Sequence, residues 1–262
     1  MTLMTTTEIA DLERRFGGVR RLYGADAFQR IQRARVCVVG IGGVGSWAAE
    51  ALARSAVGHI TLIDLDMIAE SNVNRQIHAL EGEFGKAKTD AMAARILEIN
   101  PACTIETVED FVTPDNLGAM LDGGFDYVVD AIDQVRTKAA MIAWCVEKAI
   151  PIVTAGGAGG QLDPSRIEIA DLSRTMQDPL LAKVRSRLRK EYGFPRDQKR
   201  KFGVPAVFSS EPLRYPEAGS ACDLPSSPAG LNCAGYGSSV CVTATFGLIA
   251  ASVALRRIAG HE

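Results

Sequence analysis

The apolar positions of this chain fall into two kinds of run. Short stretches rich in β-branched residues end in glycine or an acid, and between them lie longer stretches with helical spacing. Residues 35–50, RVCVVGIGGVGSWAAE, show both. Val36, Val38 and Val39 predict a buried strand, glycines interrupt it, and the alanine-rich run 46–55 predicts a helix. The same alternation predicts strands at 59–63, 104–108, 125–131 and 150–154, with helices at 25–33, 86–100, 114–121 and 135–148. Strand and helix in turn predict an α/β, Rossmann-like fold: a mainly parallel sheet with helices on both faces.

Beyond residue 160 the pattern changes. Residues 161–170, QLDPSRIEIA, predict a hairpin with Asp163-Pro164 in its turn. Residues 205–232, rich in Pro, Ser and Gly, predict a long mobile loop or lid, and 234–239 a glycine-serine hinge. Residues 240–255 are uncharged but shorter than the roughly 20 residues a membrane span needs. They predict a closing helix or a dimer interface, with no membrane span. Antiparallel strands, a long loop and a closing helix are thus expected to complete the chain.

Composition narrows the class. With 47% hydrophobic and 23% charged residues among 262, a sizeable soluble core is expected. A net charge of −2 provides no global basic field, so a polyanionic partner needs a local patch. That patch is residues 179–201, where nine cations from Lys183 to Lys201 face only Glu191 and Asp197. Like-charge i, i+4 pairs such as Lys183/Arg187 cost helix stability, which favours a phosphodiester-gripping role over a solvated face. The six cysteines form no C-x-x-C pair, so no zinc is expected, and scattered free thiols fit a reducing cytoplasm. The N-terminal residues have no apolar core of a secretory signal.

Gly40, Gly42 and Gly45 spell G-x-G-x-x-G between strand and helix, with Gly43 in addition. Such a turn brings backbone N–H groups and a helix N-terminus close to phosphate. Asp64, ending the next strand, suits a ribose hydroxyl. A dinucleotide site needs nothing more, but Arg75 and Lys88 follow, and cations there suit a triphosphate under attack. Asp133 is expected at the carboxyl edge of the sheet, as a Mg²⁺ ligand, an N-cap for the next helix, or both. Arg14, Arg15, Arg20 and Arg21 form either a solvated basic surface or an arm that reaches a phosphate.

G-x-G-G-x-G-S, D-L-D, N-x-N-R-Q, G-x-x-K and D-A-x-D, in this order, resemble the ubiquitin-activating-enzyme-like (ThiF-like) adenylyltransferases. RFGG, RLYG, NRQIHAL, DFVTPDN, VTAGGAGGQLDP and VTATFG resemble one branch, the tRNA threonylcarbamoyladenosine dehydratases. The resemblance implies a single adenylating domain, 1–262, with a nucleotide-binding core at 11–155 and a substrate-side and dimerisation part at 156–262. It implies that Gly40, Gly42, Gly43, Gly45 and Arg75 hold ATP phosphates and that Asp64, with Asp66, holds the ribose. It further implies that Asn74 and Gln76 line the site, Lys88 sits on the phosphates and Asp133 carries Mg²⁺, so that Arg75, Lys88 and Asp133 form the catalytic set. Arg15 is expected to be lent across a homodimer, although an ungapped comparison puts Gly18 there. The implied substrate is tRNA bearing threonylcarbamoyladenosine, held by Lys183, Arg187, Arg189, Lys199 and Arg200. Its carboxylate attacks the α-phosphorus of ATP, and its carbamoyl group then closes a ring and expels AMP. The alternatives are an adenylyltransferase for a sulfur-carrier protein, which the missing zinc pairs and the basic segment disfavour, and a scaffold passing sulfur to a transfer protein. Cys222 and Cys233 are the thiols left for such roles.

Overall fold

The computed structural model describes residues 11–197, 199–215 and 236–261. Seven strands form one sheet: β1 (Arg35–Val39), β2 (His59–Ile63), β3 (Thr104–Val108), β4 (Tyr127–Asp130), β5 (Ile152–Ala155), β6 (Ile167–Asp171) and β7 (Pro205–Ser209). Their order is β3-β2-β1-β4-β5-β7-β6. Every neighbouring pair is parallel except β6 and β7, which run antiparallel.

β1 and β4 are buried along nearly their whole length, because helices cover both faces of the sheet. One face carries α2 (Ala25–Arg33), α3 (Gly45–Arg54), α4 (Lys88–Ile99) and α8 (Val240–Ala259), packed on Val36, Val38, Ile60 and Leu62. The other carries α5 (Leu117–Leu121), α6 (Val135–Glu147) and α7 (Pro179–Glu191), packed on Cys37, Val39, Val128 and Phe208. Each fully buried Leu, Ile or Phe contributes about 1.5–3 kcal/mol. α1 (Leu12–Tyr23) lies outside these layers and buries Phe16 against Phe28 and Ala56.

The helix ends follow local chemistry. Asp178 caps α7, its carboxylate accepting from the Leu181 N–H at 2.9 Å, and Pro179 occupies the first helical position. Gly260 ends α8 in the left-handed region, at φ +73°. By length and composition α8, with a mean hydropathy of 1.4, could cross a membrane. Here it lies along α3 and the sheet and buries Val242, Phe246, Ala250 and Ala254.

Two sequence expectations are corrected. Residues 161–170 do not form a hairpin: Pro164–Arg166 is a 3-10 turn, and the following strand β6 pairs with β7. Residues 205–209, expected in a loop, are that strand β7, inserted between β5 and β6 because VPAVF buries on both faces. The rest of the expected lid, from residue 216, lies outside the described residues, as do Cys222 and Cys233. The arginines at 14–21 sit on helix α1.

Candidate active site

A cleft of about 520 Å³ opens at the carboxyl edge of the sheet, a volume suited to a nucleotide and part of its acceptor. Its floor is the turn after β1. Gly40 has φ +87°, which disfavours a side chain, and a Cβ there would lie 3.0 Å from Ile132 Cγ2. A Cβ on Gly45 would lie 1.8 Å from the Gly40 carbonyl oxygen, so only glycine lets α3 start this close to β1. Gly40, Gly42 and Gly43 line the cleft at the N-terminus of α3, whose first-turn N–H groups attract anions.

Asp64, just past β2, fastens the glycine turn from the side. Its Oδ2 accepts from the Ile41 N–H at 2.6 Å and its Oδ1 from the Asp66 N–H at 2.8 Å. Burial pushes its carboxyl above the usual carboxylate range, while the nearby Lys88 ammonium pulls it back. Lys88, itself buried, donates to Asp66 Oδ2 at 2.6 Å. Arg75 lies over Gly43, and its guanidinium donates to the Ser71 carbonyl oxygen and to Asn74 Oδ1. Burial lowers the Arg75 pKa, but the group stays protonated. Arg75, Lys88, Asp64 and Asp66 all face the cleft.

Asp133 lines the cleft on the far side of the glycine turn, in the loop after β4. The N-cap position of α6 belongs to Gln134, which makes no side-chain cap, so Asp133 is not the N-cap. Its loop is held from beneath. Lys138 Nζ lies 2.8 Å from Asp130 Oδ1, both side chains wholly buried, and also donates to the Ile132 carbonyl oxygen at 2.8 Å. Thr154 Oγ1 donates to Asp130 Oδ2 at 2.7 Å. Burial raises the Asp130 carboxyl and the Lys138 ammonium opposes it.

The β5 side of the cleft is lined by Gly156, Gly157, Gly159, Gln161 and Asp178. Asp178 is buried; its Oδ2 accepts from the Gly157 N–H at 2.9 Å, and burial raises its pKa. A Cβ on Gly156 would lie 1.9 Å from that oxygen, so the glycine admits the carboxylate. Gln161 is buried, and neither atom of its carboxamide head has a hydrogen-bond partner among the described residues. Its backbone is pinned. Gly160 N–H donates to the Gly237 carbonyl oxygen at 2.8 Å, and the N–H groups of Leu162 and Asp163 both donate to Glu211 Oε2 at 2.9 Å. Tyr236, Ser238 and Thr243 form the adjoining wall.

Other expected residues lie elsewhere. Gln76 is buried outside the cleft, and Asn74, whose Nδ2 donates to Ser238, supports the wall without lining it. Arg15 is not in its own chain's cleft: it donates to the Glu98 and Ile99 carbonyl oxygens, each at 2.8 Å, at the C-terminus of α4, where a cation is favoured. It lines a separate cavity of about 510 Å³ with Arg54 and Arg95. In the basic segment, Lys183, Lys199 and Arg200 are exposed. Arg187 pairs with Glu191 at 2.9 Å, and Arg189 stacks over Phe202 while donating to the Pro195 carbonyl oxygen. Arg189 therefore serves the fold as well as any ligand.

Sequence reasoning missed Lys138, Gln161, Asp178 and Thr243. VTAGGAGGQLDP and VTATFG, the stretches that contain Gln161 and Thr243, were the signal for two of them.

Comparison with known proteins extends this picture. The ThiF family model matches residues 16–262. The tRNA threonylcarbamoyladenosine dehydratase of Haemophilus influenzae is 52% identical over 253 residues, 96% of this chain and 96% of that one. The crystal structure of the E. coli tRNA N6-threonylcarbamoyladenosine dehydratase in complex with ATP superposes with a TM-score of 0.86 at 51% identity, over 95% of this chain and 96% of that one. Its complex with AMP gives the same TM-score, identity and coverage.

Proposed function

The chain belongs to the ThiF family, and from that premise we propose that it is an ATP-dependent dehydratase of threonylcarbamoyladenosine in tRNA. The observation that carries this is identity above half along almost the whole chain to a protein with that activity in its name, joined to a cleft where a glycine turn, Arg75 and Lys88 converge. The same full-length likeness, which includes the part beyond residue 156, favours this reading over a sulfur-carrier adenylyltransferase.

The reaction follows from charge. A carboxylate is a poor electrophile until one oxygen becomes part of a leaving group. The substrate's carboxylate oxygen attacks the α-phosphorus of ATP, the bond to the bridging oxygen of the β-phosphate breaks, and pyrophosphate leaves. A heteroatom of the substrate's ureido group then attacks the acyl carbon, the carbon–oxygen bond to phosphate breaks, AMP leaves and a proton passes to solvent. The elements of water are thus removed at the cost of one ATP. The glycine turn, Arg75 and Lys88 are suited to offset charge on the phosphoryl oxygens, and Asp64 to orient the ribose. Residues 11–155 then hold the nucleotide and 156–262 the substrate.

Mg²⁺ binds ATP through phosphate oxygens and one or two carboxylates. The donor set fits: Asp133 faces the cleft beside the glycine turn. Bound there, the ion would neutralise phosphate charge. The tRNA backbone is met by Lys183, Lys199, Arg200 and their neighbours. This rests on α7 starting at the cleft with Asp178 and Leu180 and running about 20 Å outward with exposed cations. The enzyme acts as a cytoplasmic homodimer in which Arg15 reaches the partner. The outward Val240 and Leu248 of α8, and the exposed position of Arg15, support a second copy there. A sulfur-transfer partner would need a reactive thiol. Burial pushes Cys103 up to about 11 and Cys145 up to about 12, leaving Cys241 as the exposed thiol among the described residues.

Mass spectrometry of nucleosides from threonylcarbamoylated tRNA, after incubation with protein, ATP and Mg²⁺, tests the function. Loss of one water with stoichiometric AMP is expected, and an unchanged nucleoside refutes it.

A further inference from the structure

Two buried polar groups in the wall of the cleft have no partner among the described residues. Gln161 presents a carboxamide with one acceptor oxygen and two donor hydrogens, 2% exposed and unbonded at both heavy atoms; Thr243 presents an unbonded hydroxyl. Nearly all buried polar groups in folded proteins are bonded, and leaving one unpaired is destabilising. The backbone on either side of Gln161 is held, at Leu162 and Asp163 by Glu211 and at Gly160 by the Gly237 carbonyl. A buried amide without a partner, on a residue that lines a cleft, is the arrangement of a site whose partner arrives with the ligand.

Strand order decides which part of the ligand. Along the edge of the sheet the cleft residues run from Asp110 and Phe111 after β3, through Asp64 after β2 and the glycine turn after β1, to Asp133 after β4 and Gln161 after β5. The β5 side of the cleft, which Gln161 lines, is thus on the side of the glycine turn opposite Asp64. With ribose at Asp64 and phosphates at the glycine turn, the adenosine half of ATP points away from Gln161. The acceptor carrying the carboxylate occupies the Gln161 side.

We propose that Gln161 is a specificity-determining residue that grips the ureido group of the substrate's side chain. A ureido group offers an N–H and a carbonyl side by side. The Gln161 carbonyl accepts from the first and its amide N–H donates to the second, while Thr243 is placed for a further polar group of the same side chain. The pairing holds the ureido group against the acyl carbon once the carboxylate is adenylated, so that ring closure outruns water. It rests on the dehydratase reading and specifies how that site selects its acceptor.

The test compares wild type with Gln161→Met, an apolar near-isostere, and Gln161→Ala, on threonylcarbamoylated tRNA with ATP and Mg²⁺. Ring closure is expected to lose about 10- to 100-fold in kcat/KM, the range of one or two good hydrogen bonds. AMP released per cyclic product should rise, because water intercepts the adenylate and regenerates the starting nucleoside. ATP affinity should not change, and thermal stability of Gln161→Met should hold or increase, since an unpaired buried amide has been removed. Wild-type kcat/KM and coupling in both variants overturn the proposal, as does a parallel loss of ATP affinity. A lowered melting temperature with AMP and cyclic product falling together marks Gln161 as structural and also overturns it. Wild-type protein that leaves the nucleoside unchanged overturns the dehydratase reading itself, and this proposal with it.

Discussion

Replacing Lys138 with methionine isolates one buried charge. Lys138 and Asp130 are both fully buried, 2.8 Å apart, and the same ammonium holds the Ile132 carbonyl next to Asp133. Methionine fills much the same volume but leaves Asp130 with only the Thr154 hydroxyl and the Ile132 N–H. Breaking a buried pair from one side costs about 3–5 kcal/mol, against a total stability of about 5–15 kcal/mol. For a chain of this size that lowers the melting temperature by roughly 6–20 °C. Acid should relieve the loss. Burial already raises the Asp130 carboxyl, and without Lys138 it rises further above the unfolded value. Its contribution is then favourable below the unfolded pKa and lost as pH rises through the folded one. The gap between wild type and Lys138→Met should therefore be wider at pH 8 than at pH 5. Adding Asp130→Asn should recover most of the stability, because the asparagine keeps an acceptor for Thr154 and carries no charge. Urea unfolding of the four proteins at both pH values measures all terms of the cycle. An unchanged melting temperature, or a gap independent of pH, refutes the reasoning.

Further predictions follow from the cleft and its surroundings. Lys88→Ala and Asp133→Ala should each lower AMP formation by about 10²–10³ without loss of circular dichroism, and near wild-type turnover in either variant removes the role given to that residue. Lys183→Glu with Arg200→Glu, both exposed, should weaken tRNA binding and flatten its salt dependence by about 0.7–0.9 per lost phosphate contact at constant ATP affinity; equal salt slopes leave the basic segment 179–201 without a tRNA role. Sedimentation at micromolar concentration should give a dimer, and an active monomer excludes shared sites. His78 is buried, its ring nitrogens have no partner among the described residues, and burial lowers its pKa to about 4. The unfolded chain takes up that proton from pH 6.5 downward, so stability is full above 6.5 and falls by up to about 1.4 kcal/mol per pH unit towards pH 4. His78→Leu should remove this slope, and identical pH profiles would disprove it.

The strands at 59–63 and 104–108 emerged from the sequence with their observed bounds, because each is a local run of buried or β-branched residues between turn formers. That Gly40 to Gly43, Asp64, Arg75 and Lys88 would share one cleft was legible too, because each stands in a short motif of its own near a strand or helix end. What failed was non-local. β7 is five residues whose only reason to be a strand is the gap between β5 and β6. Asp178 belongs to the cleft because Gly156 lets it approach from a separate helix.

Ser238 and Thr243 bring the start of α8 into the wall of a cleft whose floor is the turn after β1. These parts leave the ribosome far apart in time. While α8 is still being synthesised, the emerged chain carries the glycine turn, but Val36, Val38 and Leu62 lack the Phe246 side of their cover and the cleft lacks a wall. ATP stabilises only the form that binds it, so it cannot help the nascent chain until α8 has docked. Ribosome-bound chains stalled before α8 should gain no protease resistance from ATP, and the protection should appear abruptly once the whole helix has cleared the exit tunnel.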